Sequence, residues 1–447
     1  MTTSSLKKDN EKTDNSSLVK TIDGDLFNVT MPPAVGNPII SIPGVGLNGK
    51  LNHLDFNEKM LSTHMAMIGG IGNGKSNTFY HLIAQIRTRM SKDDLMIVFD
   101  TKGDFLRRFG KSGDIVISND ERSQGLRGID YWNIFEEIDP ADPRNSVREI
   151  CSSLFKEAVE GSSNSFFPNA AADVLYALVL ILYTHFEKAN NRKPTNKDLI
   201  DFIKRSSSAK ILETITKLGG TEFMSIANHI SDPKSGQTQG VIAELSSVVN
   251  RIFVGNFAKN GSIGICNLVK NKGGKCIFIE YDIMTGEVLS PIYSLLVDLA
   301  LKQAMSNKME HTGSVYLFVD EFKLLPNLSH IDDAVNFGRS LGVKVFIALQ
   351  AITQLYDGYG ELRGKSIMSG FLNCMFFNVN NPESREFMKE RFGKCLRRVV
   401  YDQNKDHVFE DYVVKDKDIT RLQVGEAIVG LNNCEPFKFR SLEWKKD

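Results

Sequence analysis

The chain has 447 residues, with 54 Lys and Arg against 54 Asp and Glu, so the formal net charge is zero and bulk electrostatics announce no nucleic-acid partner. Its 42% hydrophobic and 24% charged content is that of an ordinary soluble globular protein, long enough for two or three domains. The six cysteines (Cys151, Cys266, Cys276, Cys374, Cys395, Cys434) form no CxxC pair, which argues against zinc and against a disulfide framework and suits a reducing cytosol.

Residues 1–20 are rich in Ser, Thr, Asn, Asp and Lys and predict a disordered tail. Residues 21–60 hold strand-like pieces, Asp25 to Thr30 and Pro38 to Ile42, that predict a small β layer. His64 to Ile68 reads as a buried strand. It runs into Gly69-Gly70-Ile71-Gly72-Asn73-Gly74-Lys75-Ser76, which fits G-x-x-x-x-G-K-[ST], the phosphate-binding loop. The glycines let backbone N–H groups turn inward around phosphates, Lys75 reaches the β/γ-phosphates, and the Ser76 hydroxyl ligates Mg²⁺. Asn77 to Met90 predicts a helix with Phe79, Leu82, Ile83 and Ile86 on one side. Its positive dipole end adds to the anion site, and Asn77 at its start joins the loop residues as the expected nucleotide-binding set. The bland alternative is a chance match in a Gly-rich loop; the flanking strand and helix weigh against it.

Asp94 to Asp100 is a continuous apolar run ending in a carboxylate, as in a central parallel strand. Asp100-Thr101-Lys102-Gly103-Asp104 follows, at the end of the strand where ligands sit in open α/β sheets, or as a turn with a helix cap. Residues 115–118 suggest another short strand. Tyr131 to Phe135 leads into the break Asp139-Pro140-Ala141-Asp142-Pro143. From 144 to 256 the pattern is helical, with candidates at 144–160, 168–188, 196–205, 209–217, 221–229 and 236–256. The most apolar run, Val174 to Tyr183, is shorter than the ~20 residues that span a bilayer and reads as a core helix. No signal peptide is evident.

Strand patterns return at Lys275 to Tyr281, Ser314 to Phe322, Val343 to Gln350 and Cys374 to Val379. They alternate with helical patterns near 286–306, 330–341, 351–357 and 383–391. Alternation of this kind predicts an α/β fold with a mostly parallel, doubly wound sheet. The expected organisation is a tail over 1–20, a nucleotide-binding domain in two parts, 21–143 and 257–447, and an all-alpha domain over 144–256 inserted between them.

Asp320 and Glu321 end an apolar strand with adjacent carboxylates. The first can hold Mg²⁺ and the second can act as general base on the water that attacks a γ-phosphate. An acidic turn is the bland reading; with a phosphate loop upstream, ATP hydrolysis with Lys75 and Glu321 as catalytic groups is the better one. Gln350 also ends a buried strand and can bond the γ-phosphate or its water, or merely cap a helix. Arg339 could reach a neighbouring subunit's phosphate, though a single Arg is more often a solvated helix face. Arg385, Lys389, Arg391, Lys394, Arg397 and Arg398 form a basic cluster diluted by Glu386 and Glu390, suited to a phosphate backbone or to a solvated helix face.

Several of these stretches, in this order, resemble one family. Asp100 to Asp104 looks like its Asp-x-Lys-Gly-Glu/Asp signature. Trp132-Asn133 resembles its Trp-Asn-Pro segment, with Ile134 in place of Pro. Asp320-Glu321-Phe322, Gln350-x-x-x-Gln354-Leu355 and Tyr359-Gly360 look like its downstream motifs. This is the TraG/TraD type of conjugative coupling protein, within the FtsK/HerA class of DNA-pumping ATPases, and the resemblance covers roughly 60–435. It implies a RecA-like motor domain, an all-alpha domain between its strands, and a homo-hexameric ring around DNA with ATP and Mg²⁺ between subunits. It implies Gln350 as nucleotide sensor and Arg339 as a candidate trans-acting arginine. Such proteins deliver DNA or relaxase-linked DNA to a type IV secretion channel. Typical members carry N-terminal transmembrane helices and none is evident here. The expected location is therefore cytoplasmic, or at the inner face of the membrane through an anchoring partner. Two other readings stay open: a HerA-like cytosolic DNA motor in DNA processing or phage defence, and a ring-shaped adaptor that docks protein substrates.

Overall fold

The computed structural model describes residues 12–13, 19–30, 32–119, 131–282, 284–306, 313–402 and 405–445. In chain order its strands are β1 Lys12–Thr13, β2 Val19–Asp23, β3 Ile40–Val45, β4 Leu51–Phe56, β5 Met65–Ile68, β6 Leu95–Asp100, β7 Ile115–Ser118, β8 Lys275–Glu280, β9 Val315–Val319, β10 Val343–Leu349, β11 Asn373–Phe377, β12 Lys394–Asp402, β13 Lys405–Tyr412, β14 Glu426–Gly430 and β15 Phe437–Ser441. β5, β6, β9, β10 and β11 are buried at every residue. Both faces of such strands are covered, which is why they read as unbroken apolar runs rather than alternating ones. The fold is α/β, with a large, mostly parallel sheet and an antiparallel edge.

The chain forms two units. The first comprises Met1–Arg89, Val319–Lys323 and Lys344–Asp447. Its main strands run in the order β4-β3-β15-β14-β11-β5-β10. β5 pairs in parallel with β10 on one side and β11 on the other. The strand that feeds the phosphate loop is thus internal, and its C-terminal end opens between two neighbours that end at the same level. A second sheet, β1-β2-β12-β13, is antiparallel in every pairing.

The second unit comprises Met90–Phe318 and Leu324–Val343. Here β8 pairs in parallel with β6 and β7, and β6 also neighbours β9. Helices Pro143–Glu160, Phe166–Asn190, Asn196–Arg205, Ser208–Leu218, Met224–His229 and Gly236–Ile252 follow one another with no strand among the described residues between them. Asp142 caps the first through its side chain, with Pro143 in the first turn. The helix Phe166–Asn190 is long and apolar enough to cross a membrane by length and composition. Its Val174, Leu175, Ala177 and Val179 are fully buried, as in the core helix expected there.

Several local expectations differ from the structure. Asp25 to Thr30 is not a strand, because Asn28 adopts left-handed backbone (φ 57°) and turns the chain. The tail expected over 1–20 falls largely outside the described residues, and within it Lys12–Thr13 pairs with Lys20 and Thr21. The basic cluster is not one helix face: Lys394, Arg397 and Arg398 lie on β12. Four of its six charges pair with nearby carboxylates: Arg385 with Asp416 (2.8 Å), Lys389 with Glu386 (2.6 Å), Lys394 with Glu410 (3.1 Å) and Arg397 with Asp411 (3.4 Å).

Candidate nucleotide-hydrolysis site

The loop after β5 takes the turn its glycines permit. Gly74 sits at φ +110°, a conformation that strains any residue with a Cβ. Gly69 is needed for a different reason: a Cβ there would lie 2.4 Å from Phe377 Cβ. The helix Lys75–Arg89 begins directly after Gly74, so its first N–H groups face the loop. Lys75 Nζ folds back over the loop and donates to Gly69 O at 2.5 Å and Gly70 O at 2.9 Å.

The ends of β9 and β10 supply the remaining groups. Ser76 Oγ donates to Asp320 Oδ1 at 3.1 Å, so the hydroxyl and the carboxylate expected to share a cation are already in contact. A hydroxyl and a carboxylate are hard oxygen donors, the set that Mg²⁺ accepts alongside phosphate and water. Gln350 Nε2 donates to Glu321 Oε2 at 2.7 Å, and Gln350 N donates to Gln354 Oε1 at 2.9 Å. Glu321 Oε1 is buried without a hydrogen-bond partner. Burial pushes the Glu321 carboxyl above its usual range, while the Gln350 hydrogen bond and the nearby Lys323 and Lys75 charges pull it back. An orphaned, moderately basic oxygen beside a phosphate loop is what a water-activating carboxylate requires. Phe322, next in sequence, stacks on Tyr359 at 5.6 Å between ring centroids and fixes the turn that carries Glu321.

Sequence reasoning missed the support of the loop from the β11 side. Asn378, just beyond β11, accepts at its carbonyl from Gly70 N (2.8 Å) and Asn73 Nδ2 (2.8 Å). Its side chain donates to Thr420 O and Leu422 O, both at 3.0 Å. The available signal was the position of Asn378 just past an apolar strand, as with Asp320 and Gln350. Asn77 serves a different purpose from the loop residues around it. Its carboxamide donates to Leu442 O (2.9 Å) and accepts from Trp444 N (2.7 Å), tying the helix to the C-terminal segment.

Three residues singled out in the sequence belong to the second unit. Asp100 is buried and accepts from Lys102 N (3.2 Å), Phe105 N (2.9 Å) and Leu106 N (2.9 Å), capping the helix Asp104–Phe109. Desolvation pushes its carboxyl up to about 6 against those hydrogen bonds. Arg339 is exposed on a 3-10 turn, Gly338–Leu341. Trp132 is a core residue whose Nε1 donates to the buried Glu137 at 2.7 Å.

Residues 50–406 match the type IV secretion-system coupling protein DNA-binding domain family. The chain belongs to this family. Among curated relatives, the probable conjugal transfer protein TraG of Sinorhizobium fredii (strain NGR234) is 20% identical over 396 residues, 84% of this chain and 58% of that protein. Coupling protein TraD of Escherichia coli K12 is 21% identical over 337 residues, 73% of this chain and 43% of that protein. The chain therefore spans about half the length of these relatives. Among solved structures, the plasmid coupling protein TrwB has a TM-score of 0.71 in its complex with ADP and Mg²⁺ (19% identity, 95% of each chain). It scores 0.71 again in its complex with the ATP analogue ADPNP (20% identity, 95% and 94% covered). This likeness shows that the family member described here shares TrwB's RecA-like P-loop fold.

Proposed function

We propose that the chain is the motor portion of a conjugative coupling protein, which hydrolyses ATP to drive DNA toward a type IV secretion channel. The observation that carries this reading is the convergence, on one phosphate loop, of the Ser76–Asp320 contact and of Glu321 with its buried, unpartnered Oε1. The nucleotide and Mg²⁺ complexes of TrwB support ATP as substrate and Mg²⁺ as its companion ion.

In this account the loop N–H groups and Lys75 bind the triphosphate. Ser76 and Asp320 hold Mg²⁺, which supplies charge neutralisation at the phosphates. Glu321 Oε1 takes a proton from water as the water oxygen bonds to the γ-phosphorus. The bond from that phosphorus to the bridging oxygen breaks, giving ADP and phosphate. Gln350 orients Glu321 and senses which nucleotide is present. Arg339, exposed and off the loop, suits donation to a neighbouring subunit's phosphate in a homo-hexameric ring. DNA would stimulate turnover by favouring the closed interface, and relaxase, channel components and a membrane-anchoring partner complete the set. The working place is the cytoplasm or the inner face of the membrane.

Particle imaging with ADPNP and DNA tests this directly. Rings encircling DNA are expected. Monomers or rings that exclude DNA would overturn it.

A further inference from the structure

The turn that carries Gln350 is held from outside as well as from within. From within, Gln350 N donates to Gln354 Oε1 at 2.9 Å. The helix that follows, Thr353–Tyr359, starts at Ile352, an apolar residue whose side chain offers no cap to the first N–H groups. The acceptor for Ile352 comes from another helix, Pro382–Phe392. Ser384 Oγ accepts from Ile352 N at 2.9 Å and donates to Asn381 Oδ1 at 2.6 Å. Ser384 and Ile352 are both 0% exposed. The bond to Asn381 directs the hydroxyl proton away and leaves an oxygen lone pair for the Ile352 N–H. Loss of that oxygen takes the acceptor from a buried N–H two residues beyond Gln350, which the turn can restore only by shifting.

The same connection braces the phosphate loop. Asn378 O, just before Asn381 in the chain, accepts from Gly70 N and Asn73 Nδ2, both at 2.8 Å. Residues 378–384 thus hold the phosphate loop at one end and the Gln350 turn at the other, all within the first unit. Gln350 Nε2 meets Glu321 Oε2 at 2.7 Å, and a shift of about 1 Å in the turn carries that pair beyond hydrogen-bond range.

We infer that Ser384 is a positioning residue for hydrolysis, holding the Gln350 turn so that the Gln350 carboxamide stays on Glu321. The inference rests on the reading that Glu321 is the base and Gln350 its orienter. Ser384 acts through Gln350, so its contribution vanishes when the Gln350 carboxamide is gone.

A double-mutant cycle on ATP hydrolysis with Mg²⁺ tests this, using wild type, Ser384→Ala, Gln350→Ala and the double variant. Ser384→Ala is expected to lower kcat about three- to tenfold, the scale of one buried hydrogen bond, with ADPNP affinity unchanged. Its acid limb should move to higher pH, in the direction expected of Gln350→Ala. In the Gln350→Ala background the same substitution should cost less than about twofold and move the acid limb no further. An unchanged kcat in Ser384→Ala, or equal losses in the two backgrounds, overturns the positioning role. A wild type that does not hydrolyse ATP removes instead the reading on which it rests. Folding is checked by circular dichroism; if the alanine variant does not fold, Ser384→Cys, whose thiol fills the space but accepts only weakly, takes its place in the cycle.

Discussion

Gln350 Nε2 donates to one oxygen of Glu321, at 2.7 Å, and leaves the other oxygen buried without a partner. The hydrogen bond stabilises the carboxylate form, against a desolvation that favours the neutral acid. Replacing Gln350 by Ala removes the first effect and keeps the second. The acid limb of the hydrolysis profile should then move to higher pH, with turnover falling more at pH 6 than at pH 8. A pH–rate series on wild type and Gln350→Ala checks this; superimposable profiles would show that Gln350 does not act on the base.

Glu321→Gln keeps size and hydrogen-bonding capacity but cannot accept the proton of the attacking water. Hydrolysis should fall by about 10²- to 10⁴-fold with nucleotide affinity retained. Steady-state turnover and equilibrium binding, measured on the same preparation, separate the two effects.

Lys75→Ala and Ser76→Ala should fail differently. Lys75 bonds to the loop carbonyls of Gly69 and Gly70 and is placed to exchange them for phosphate, so its loss should weaken nucleotide binding at any Mg²⁺ concentration. Ser76 touches Asp320, so its loss should raise the Mg²⁺ concentration needed for half-maximal turnover. A Mg²⁺ titration of both variants distinguishes them.

Much of this site was legible because its residues end buried strands. Apolar runs that stop at Asp320 and Gln350 announce both a parallel sheet and polar groups at its ligand-binding edge, whereas the similar run that stops at Asp100 ends in a helix cap of the second unit. The β12–β13 hairpin was not legible, since Lys394 and Arg397 satisfy their charges across strands with Glu410 and Asp411 rather than along a helix. Asn378 escaped notice because it braces the loop through its backbone carbonyl, which residue type does not encode. The clamp of Asn77 on Leu442 and Trp444 joins positions more than 360 residues apart, beyond any local pattern.

Asp100 should govern part of the pH dependence of stability. Its carboxyl is raised to about 6 in the folded chain, so the folded state binds its proton more tightly than the unfolded state does. Its contribution is greatest below pH ~4 and is lost as pH rises through about 6, a change on the order of 3 kcal/mol. Asp100→Asn should flatten the stability difference between pH 4.5 and pH 7. Urea unfolding of wild type and variant at those two values reads it; an unchanged slope would assign the titration elsewhere.

The central claim is that this phosphate loop powers work on DNA. The most direct measurement is the rate of ATP hydrolysis by the purified chain, with and without DNA, alongside Glu321→Gln. The account predicts a rate that rises when DNA is added and falls by about 10²- to 10⁴-fold in Glu321→Gln under both conditions. Wild-type hydrolysis indifferent to DNA, or a rate in Glu321→Gln equal to that of the wild type, would contradict it.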